Sequence, residues 1–135
     1  MPLLAWTDRY SVGVKEIDAQ HKMLLDILIQ LNEALMAGET GTVTRPLLKR
    51  LVGSTKEHFA DEEKLMAKTK YPELAAHRAH HVELTHRVLK YVSRYDSGEV
   101  AMNLELIKFL REWLINHILR EDMEYGPWMN KCGVY

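Results

Sequence analysis

Residues 74–95 read LAAHRAHHVELTHRVLKYVSRY. One face of this segment repeats at steps of three and four residues, which is the spacing of an amphipathic helix. The face consists of Leu74, His77, His81, Leu84, Val88, Tyr91 and Tyr95. Two histidines stand where a plain helical bundle has leucine or isoleucine. The segment therefore predicts a helix whose buried side carries polar groups near its beginning.

Three further segments have the same period, and turn residues separate them. The four predicted helices run from Asp18 to about Ala37, from Thr42 or Thr44 to about Lys68, from Pro72 or Glu73 to about Tyr95, and from about Ala101 to Met123. Gly126 and Pro127 are expected to end the last helix. Because short loops make successive helices antiparallel, we predict an all-α, up-down-up-down four-helix bundle. It forms one domain, residues 1–135, with an irregular N-terminal arm and a short C-terminal tail.

Histidines and carboxylates occupy buried positions on all four helices. They are His21, His58, Glu62, His77, His81, His117 and Asp122. In an antiparallel bundle these residues meet at one end, because His21 and His77 lie early in their helices whereas His58 and His117 lie late. The helical spacing in the sequence and the level along the bundle axis are independent criteria, and both predict that these residues form one cluster.

A cluster of buried polar groups needs partners. A buried imidazole or carboxylate without one costs on the order of 1–3 kcal/mol, and coordination of metal ions removes that cost. Imidazole nitrogens together with carboxylates that can bridge two cations favour a di-iron centre, whereas zinc is usually four-coordinate. The single cysteine, Cys132, is expected to be exposed in the tail, so a thiolate site is not expected.

The order of these residues resembles the hemerythrin family. The pattern is His21, His58-x-x-x-Glu62, His77-x-x-x-His81 and His117-x-x-x-x-Asp122. The flanking residues Trp6, Val12-Gly13-Val14, Ile17-Asp18-x-Gln20-His21 and Tyr71-Pro72 are similar to those of its bacterial single-domain members. The resemblance covers essentially the whole chain. It implies a non-haem di-iron centre that binds O₂ reversibly for storage or transport, in a protein that is not an enzyme.

The resemblance also implies a role for each residue. His77, His81 and His117 would hold one iron and His21 and His58 the other, while Glu62, Asp122 and an oxo or hydroxo group would bridge the two. An O₂ pocket beside the second iron would be lined by Leu24, Phe59, Trp113, Leu114 and Ile118. These side chains carry no carboxylate or imidazole that could donate a proton.

The interval between His117 and Asp122 departs from regular helix geometry. Five residues at about 100° each place Asp122 about 140° from His117, whereas Glu121 would lie near the same face. Geometry alone favours Glu121. The family pattern favours Asp122 and requires a π-type bulge in the last turn, a feature that is frequent at functional sites. We expect Asp122 and a bulge.

Other residues near the motif are expected on the surface. His80 and His86 lie off the buried face of their helix, and in the run Asp61-Glu62-Glu63-Lys64 only Glu62 lies on the buried face of the second helix. Charged residues beside a buried stripe usually form solvated helix surface. We therefore assign no role to them.

Composition excludes several classes of partner. The chain has 18 Lys+Arg against 19 Asp+Glu and a formal charge of −1, so no strong field attracts nucleic acid or an anionic membrane surface. No apolar run approaches the roughly 18 residues of a membrane span, and the N-terminus lacks a secretory signal. We expect a cytoplasmic protein whose partners are O₂ and, if O₂ is delivered, an oxygen-consuming enzyme.

Two other functions remain open from the sequence. A di-iron oxidase would activate O₂, but ferritin-like oxidases carry two Glu-x-x-His motifs and a carboxylate-rich site, and neither His–carboxylate pair here has that spacing. An O₂ or iron sensor, or an iron-handling module, would use the same ligands. No attached signalling domain is visible in the sequence, which favours O₂ binding for storage or delivery.

Overall fold

The computed structural model describes residues 6–39, 41–99 and 104–135, without the side chains of residues 104, 120 and 121. The regular elements in these ranges are a 3₁₀ turn at Asp8–Tyr10, α1 at Lys15–Met36, α2 at Gly41–Lys68, α3 at Leu74–Asp96, α4 at Leu104–His117, a π-helical segment at Ile118–Asp122 and α5 at Met123–Lys131. Helix α1 packs against α2 and α4, and α2 packs against α3. The predicted all-α four-helix bundle is confirmed. Of the described helices, none has both the length and the apolar character needed to cross a membrane.

The N-terminal arm is fastened to the first turn of α1. This helix begins at Lys15, so Asp18, at which the helix was predicted to begin, lies inside its first turn. The Asp18 carboxylate accepts hydrogen bonds from the Ser11 hydroxyl at 2.5 Å and from the Val12 amide at 2.9 Å. Asp18 therefore holds the arm against the bundle.

The start of α2 also differs from the prediction. The helix begins at Gly41, so Thr42 and Thr44 lie within its first turn. Thr44 is buried, and its hydroxyl is 2.5 Å from the Tyr95 hydroxyl at the end of α3. This threonine thus links two helices. The predicted start of the last helix at Ala101 lies outside the described residues.

The prediction that Gly126 and Pro127 end the last helix is wrong, because α5 continues to Lys131. Pro127 lies close to the π-helical segment, where the register of the backbone hydrogen bonds already changes. Gly126 is required by close packing against the N-terminal arm, because a Cβ atom there would lie 2.1 Å from the carbonyl oxygen of Val12. The remaining tail is short, and Cys132 is exposed as predicted.

Two apolar clusters stabilise the bundle, and burial of each large aliphatic side chain contributes roughly 1.5–3 kcal/mol. The smaller cluster contains Val12, Val14, Ile17, Met66, Tyr71, Tyr125 and Met129. The larger one fills the rest of the bundle. Predicted ligands separate the two clusters in three places: His21 lies between Ile17 and Leu24, Glu62 between Phe59 and Met66, and Asp122 between Ile118 and Tyr125. The helices therefore place a polar layer between two apolar ones.

Candidate metal centre

The structure brings all seven predicted ligands together. They are His21, His58, Glu62, His77, His81, His117 and Asp122, and none is more than 6% exposed. Their possible ligand atoms form two groups, each with all atoms within 4.8 Å of one another. The first group is Glu62, His77, His81, His117 and Asp122, and the second is His21, His58, Glu62 and Asp122. Both groups contain the same two carboxylates.

The two oxygens of Asp122 face different groups. Oδ2 lies 2.9 Å from Nε2 of His21, whereas Oδ1 lies 3.1 Å from Nε2 of His77 and 3.0 Å from Nε2 of His117. Glu62 lies closest to His58, with 2.5 Å between Oε1 and Nε2, and its Oε2 is 3.7 Å from Nε2 of His77. This arrangement is suited to carboxylates that bridge two cations.

Atoms of this cluster lack the hydrogen bonds that buried polar groups need. The Nε2 atoms of His21, His58, His77 and His81, and all four carboxylate oxygens of Glu62 and Asp122, are buried with no hydrogen-bond partner in the described part of the chain. Buried polar atoms are otherwise satisfied almost everywhere in folded proteins. Unsatisfied nitrogens and shared carboxylates facing one another fit a pair of iron ions.

The carboxylates are held in their ionised form. Burial alone would raise the pKa of Glu62, but attraction to His58 and the other histidines lowers it well below its usual range. The pKa of Asp122 is also lowered: burial and the charge of Glu62 oppose ionisation, and His117 and His21 outweigh them. Both side chains are thus negatively charged at neutral pH, as bridging ligands must be.

Two of the histidines have pKa values shifted in opposite directions. Burial would lower the pKa of His77, but Asp122 and Glu62 raise it to about 9. Burial dominates at His81 and, with repulsion from His117 and His77, lowers its pKa to about 4. In the metal-free protein His77 thus carries a proton that a metal ion displaces, whereas His81 is already neutral.

The predicted bulge is present. Residues Ile118–Asp122 form a π-helical turn between α4 and α5. The wider turn brings Asp122 round to the side of His117, so that a spacing of five residues places their side chains 3.0 Å apart. The side chain of Glu121, the alternative ligand, lies outside the described residues.

The five predicted pocket residues are buried in the larger apolar cluster: Leu24, Phe59, Trp113, Leu114 and Ile118. The Phe59 ring stacks on His81 at 3.8 Å between centroids and meets His117 edge-on at 5.2 Å. The Trp113 indole N–H donates to the carbonyl of Leu84 at 3.3 Å, so its one polar hydrogen already has an acceptor. The structure thus shows apolar side chains beside the histidines, and their role as an O₂ pocket stays a prediction.

Sequence analysis missed polar side chains that lie behind the histidines. Asp61 and Glu63 were expected on a solvated surface, but Asp61 accepts a hydrogen bond from Gln20, and Glu63 is 3.2 Å from Nδ1 of His81. Gln20 in turn is 2.6 Å from Nδ1 of His58. The position of Gln20 directly before His21 and those of the acids on either side of Glu62 were the available signals.

One aromatic residue near the site was misjudged, and another was not identified from the sequence. His80 was expected on the surface, but it is half-buried and its ring is nearly parallel to that of His117, 5.7 Å away. His86 is exposed, as expected. Tyr125 is fully buried, 5.5 Å from the ring of His77, and burial with the charges of Glu62 and Asp122 raises its pKa well above the usual value. Its spacing of three residues from Asp122 was obscured by the predicted helix end at Gly126.

These features define a class of protein, a four-helix bundle with a buried candidate site for two neighbouring metal ions. Residues 12–129 match the family described as Hemerythrin HHE cation binding domain. The chain belongs to the hemerythrin family, whose members bind O₂ at a non-haem di-iron centre. The resemblance found in the sequence is thus confirmed.

Relatives match along nearly the whole chain. The chain is 36% identical over 126 residues to a bacteriohemerythrin of Stenotrophomonas maltophilia, which covers 93% of this chain and 81% of that protein. It is 32% identical over 128 residues to a bacteriohemerythrin of Methylococcus capsulatus, covering 94% of this chain and 97% of that protein. Among solved structures, a wild-type hemerythrin superposes with a TM-score of 0.87 at 31% identity, covering 94% of this chain and 98% of that one.

Proposed function

We propose that the seven clustered side chains hold two iron ions, and that the protein binds O₂ reversibly for storage or for delivery to an oxygen-consuming enzyme. The observation that carries the proposal is the sharing of Glu62 and Asp122 by two groups of ligand atoms. Two carboxylates common to two sets of imidazoles are suited to a bridged pair of ions. The proposal includes a cytoplasmic setting and no enzymatic activity of the chain itself.

The two positions would differ in the number of protein ligands. One ion would be held by the nitrogens of His77, His81 and His117, and the other by those of His21 and His58, with the carboxylates common to both. When bound, the two iron ions supply the redox equivalents and the coordination position that reversible O₂ binding requires. The position with fewer imidazoles, that of His21 and His58, would be the one with room for a further ligand such as O₂.

The apolar side chains around the histidines would keep the site dry. The five side chains are at most 5% exposed: Leu24, Phe59, Trp113, Leu114 and Ile118. The Trp113 N–H is engaged by a carbonyl, so these walls supply neither water nor an acidic proton to the site. Charge separation is costly where water and protons are withheld. Apolar side chains that exclude water therefore favour release of neutral O₂ over release of superoxide or peroxide.

The test is a cycle of oxygenation and evacuation. Protein loaded anaerobically with Fe²⁺ is exposed to stepwise increases in O₂, its visible absorption is recorded, and the gas phase is then removed. Reversible binding predicts that the absorption rises, returns to its starting value and rises again in a second cycle. O₂ uptake that yields hydrogen peroxide or oxidises an added substrate would identify an oxidase. A protein partner captured only with or only without O₂ would favour a sensor.

A further inference from the structure

Two hydrogen-bonded relays run outward from the proposed ligands. In the first, Nδ1 of His58 lies 2.6 Å from Oε1 of Gln20, and Nε2 of Gln20 donates to Asp61 at 2.9 Å. A carboxylate can only accept, so Asp61 turns the Gln20 amide until its oxygen faces His58. The amide oxygen also only accepts. His58 must therefore donate from Nδ1, so that Nε2, which lies beside Glu62, is the ring nitrogen placed to bind a metal ion.

The second relay ends in a charged acceptor. Nδ1 of His81 lies 3.2 Å from Oε2 of Glu63, and Nε of Arg78 donates to Oε1 of the same carboxylate at 2.8 Å. The Glu63 side chain is 22% exposed and that of Arg78 is 55% exposed. The arginine fixes one oxygen of Glu63 and leaves the other for His81. His81 donates from Nδ1, so its Nε2 atom faces the centre.

The acceptors of the two relays differ in charge. The third histidine considered, His21, shares its proposed metal position with His58 and has no acceptor at Nδ1 among the residues that the structure describes. Gln20 offers His58 a neutral amide, whereas Glu63 offers His81 a carboxylate. Hydrogen bonds to an ionised acceptor are stronger than neutral ones and make the opposite ring nitrogen a better donor to a metal. Nδ1 of His21 is buried with no hydrogen-bond partner in the described ranges. The metal position formed by His21 and His58 thus has weaker hydrogen-bond support behind its imidazoles than the metal position that contains His81.

We propose that Gln20 and Glu63 are positioning residues that fix the tautomers of His58 and His81, and that the charge of Glu63 makes the His81 position the one that fills first. This inference rests on the ligand roles in the proposed function. It predicts unequal binding of two identical ions. The difference in affinity between the two binding steps should change when the charge at position 20 or 63 changes, even though the number of histidine ligands stays the same.

The experiment uses Co²⁺ as the probe, added to the metal-free protein and followed by calorimetry and by visible absorption. Wild-type protein is expected to bind two Co²⁺ ions in two steps. Glu63→Gln is made in an Arg78→Ala background, where the amide oxygen is free to accept from His81. It removes the charge and should weaken the first step about tenfold relative to Arg78→Ala alone. Glu63→Ala, in the same background, removes both the charge and the acceptor and should weaken it further. Gln20→Glu is made together with Asp61→Asn, so that an amide donor and not a second carboxylate faces the new side chain. The added charge beside His58 should strengthen the second step several-fold and so reduce the difference between the two steps.

Glu57→Gln is the matched control, because it makes the same change at an exposed position of α2. Its two binding steps should equal those of the wild type. Imidazole ¹⁵N spectra of the Zn²⁺-loaded proteins give a second readout: Nδ1–H of His81 should persist in Glu63→Gln and be lost or exchange rapidly in Glu63→Ala. A change in general stability alone would not separate these two variants.

The outcomes distinguish this inference from the proposed function. If the wild type does not bind two Co²⁺ ions per chain, the ligand roles themselves are wrong and the inference falls with them. If it binds two, but Glu63→Gln, Glu63→Ala and the Gln20→Glu, Asp61→Asn pair leave both steps unchanged, the relays do not set the order of filling and only the inference is overturned. Weakening of the first step by Glu63→Gln, without an effect of Glu57→Gln, supports it.

Discussion

Nε2 of His21 lies 2.9 Å from Oδ2 of Asp122, so the beginning of α1 meets the end of the π-helical segment through one carboxylate. The other oxygen of Asp122 is within 3.1 Å of nitrogens from α3 and α4. A single side chain thus connects three helices at the polar layer. Because both carboxylate oxygens of Asp122 are buried with no hydrogen-bond partner in the described part of the chain, metal ions at this layer would link occupancy to folding.

Removal of iron should therefore lower the thermal stability. An ion present at a thousand times its dissociation constant stabilises the folded state by about 4 kcal/mol, which corresponds to a fall in Tm on the order of 10 °C for a domain of this size. Scanning calorimetry of iron-loaded and chelator-treated protein measures the difference, and reloading with Fe²⁺ should restore the higher Tm. Equal melting temperatures before and after chelation would show that the polar layer does not depend on metal.

Gly126→Ala should destabilise the protein, because the new Cβ would meet the Val12 carbonyl oxygen at 2.1 Å and push the N-terminal arm away from α5. Overpacking of this kind costs about 1–3 kcal/mol. Gly53→Ala is the matched control: Gly53 lies within α2 with open space around its Cβ direction, and the substitution should stabilise by about 0.5–1 kcal/mol. Urea denaturation of both variants gives the comparison. A Gly126→Ala protein as stable as Gly53→Ala would mean that the arm is not packed as described.

The metal-free protein should be most stable near pH 6.5. The pKa of His77 is raised from 6.5 to about 9, so its stabilising contribution is complete below pH 6.5 and is lost as the pH rises through 9. The pKa of His81 is lowered to about 4, so stability is lost as the pH falls from 6.5 towards 4. Each shift corresponds to about 3 kcal/mol.

Denaturant midpoints of chelator-treated protein between pH 4 and pH 10 test this expectation. His86→Gln should leave the profile unchanged, because His86 is exposed. In the iron-loaded protein the alkaline loss should be much smaller, since the ion replaces the proton of His77. A flat profile for the metal-free protein would show that the two histidines do not titrate as the surroundings of the site indicate.

Replacement of apolar residues beside the site should shorten the life of the O₂-loaded protein without removing iron. Leu24→Ser and Trp113→Ala both admit water to a region that is at most 5% exposed, and water stabilises departing anions. We expect iron content close to that of the wild type and spontaneous oxidation at least several-fold faster. Trp128→Ala, in contact with the smaller apolar cluster, is the control. Unchanged lifetimes in both test variants would make these residues core packing only.

The limits of sequence-based prediction follow from what each pattern contains. A helical stripe identifies residues on one face, and it was sufficient to find six of the seven clustered side chains. Asp122 lies off that stripe, and it was selected only through the family pattern, because a π-helical turn depends on contacts that the local period does not contain. Gly126 was misread for the same reason: its packing against Val12 is a tertiary contact. Glu63 and His80 lie beside the stripe, where only the approach of neighbouring helices determines burial.

Reversible O₂ binding by this protein requires two iron ions that share Glu62 and Asp122. The most direct measurement is iron analysis combined with the visible spectrum under O₂ and again after evacuation. We expect about two irons per chain and a charge-transfer absorption that appears with O₂ and disappears without it. Asp122→Ala should lose most of the iron and this absorption, whereas Glu124→Ala, at an exposed position of α5, should keep both. One zinc per chain, or a spectrum that does not respond to O₂, would mean that the protein is not a reversible di-iron O₂ carrier.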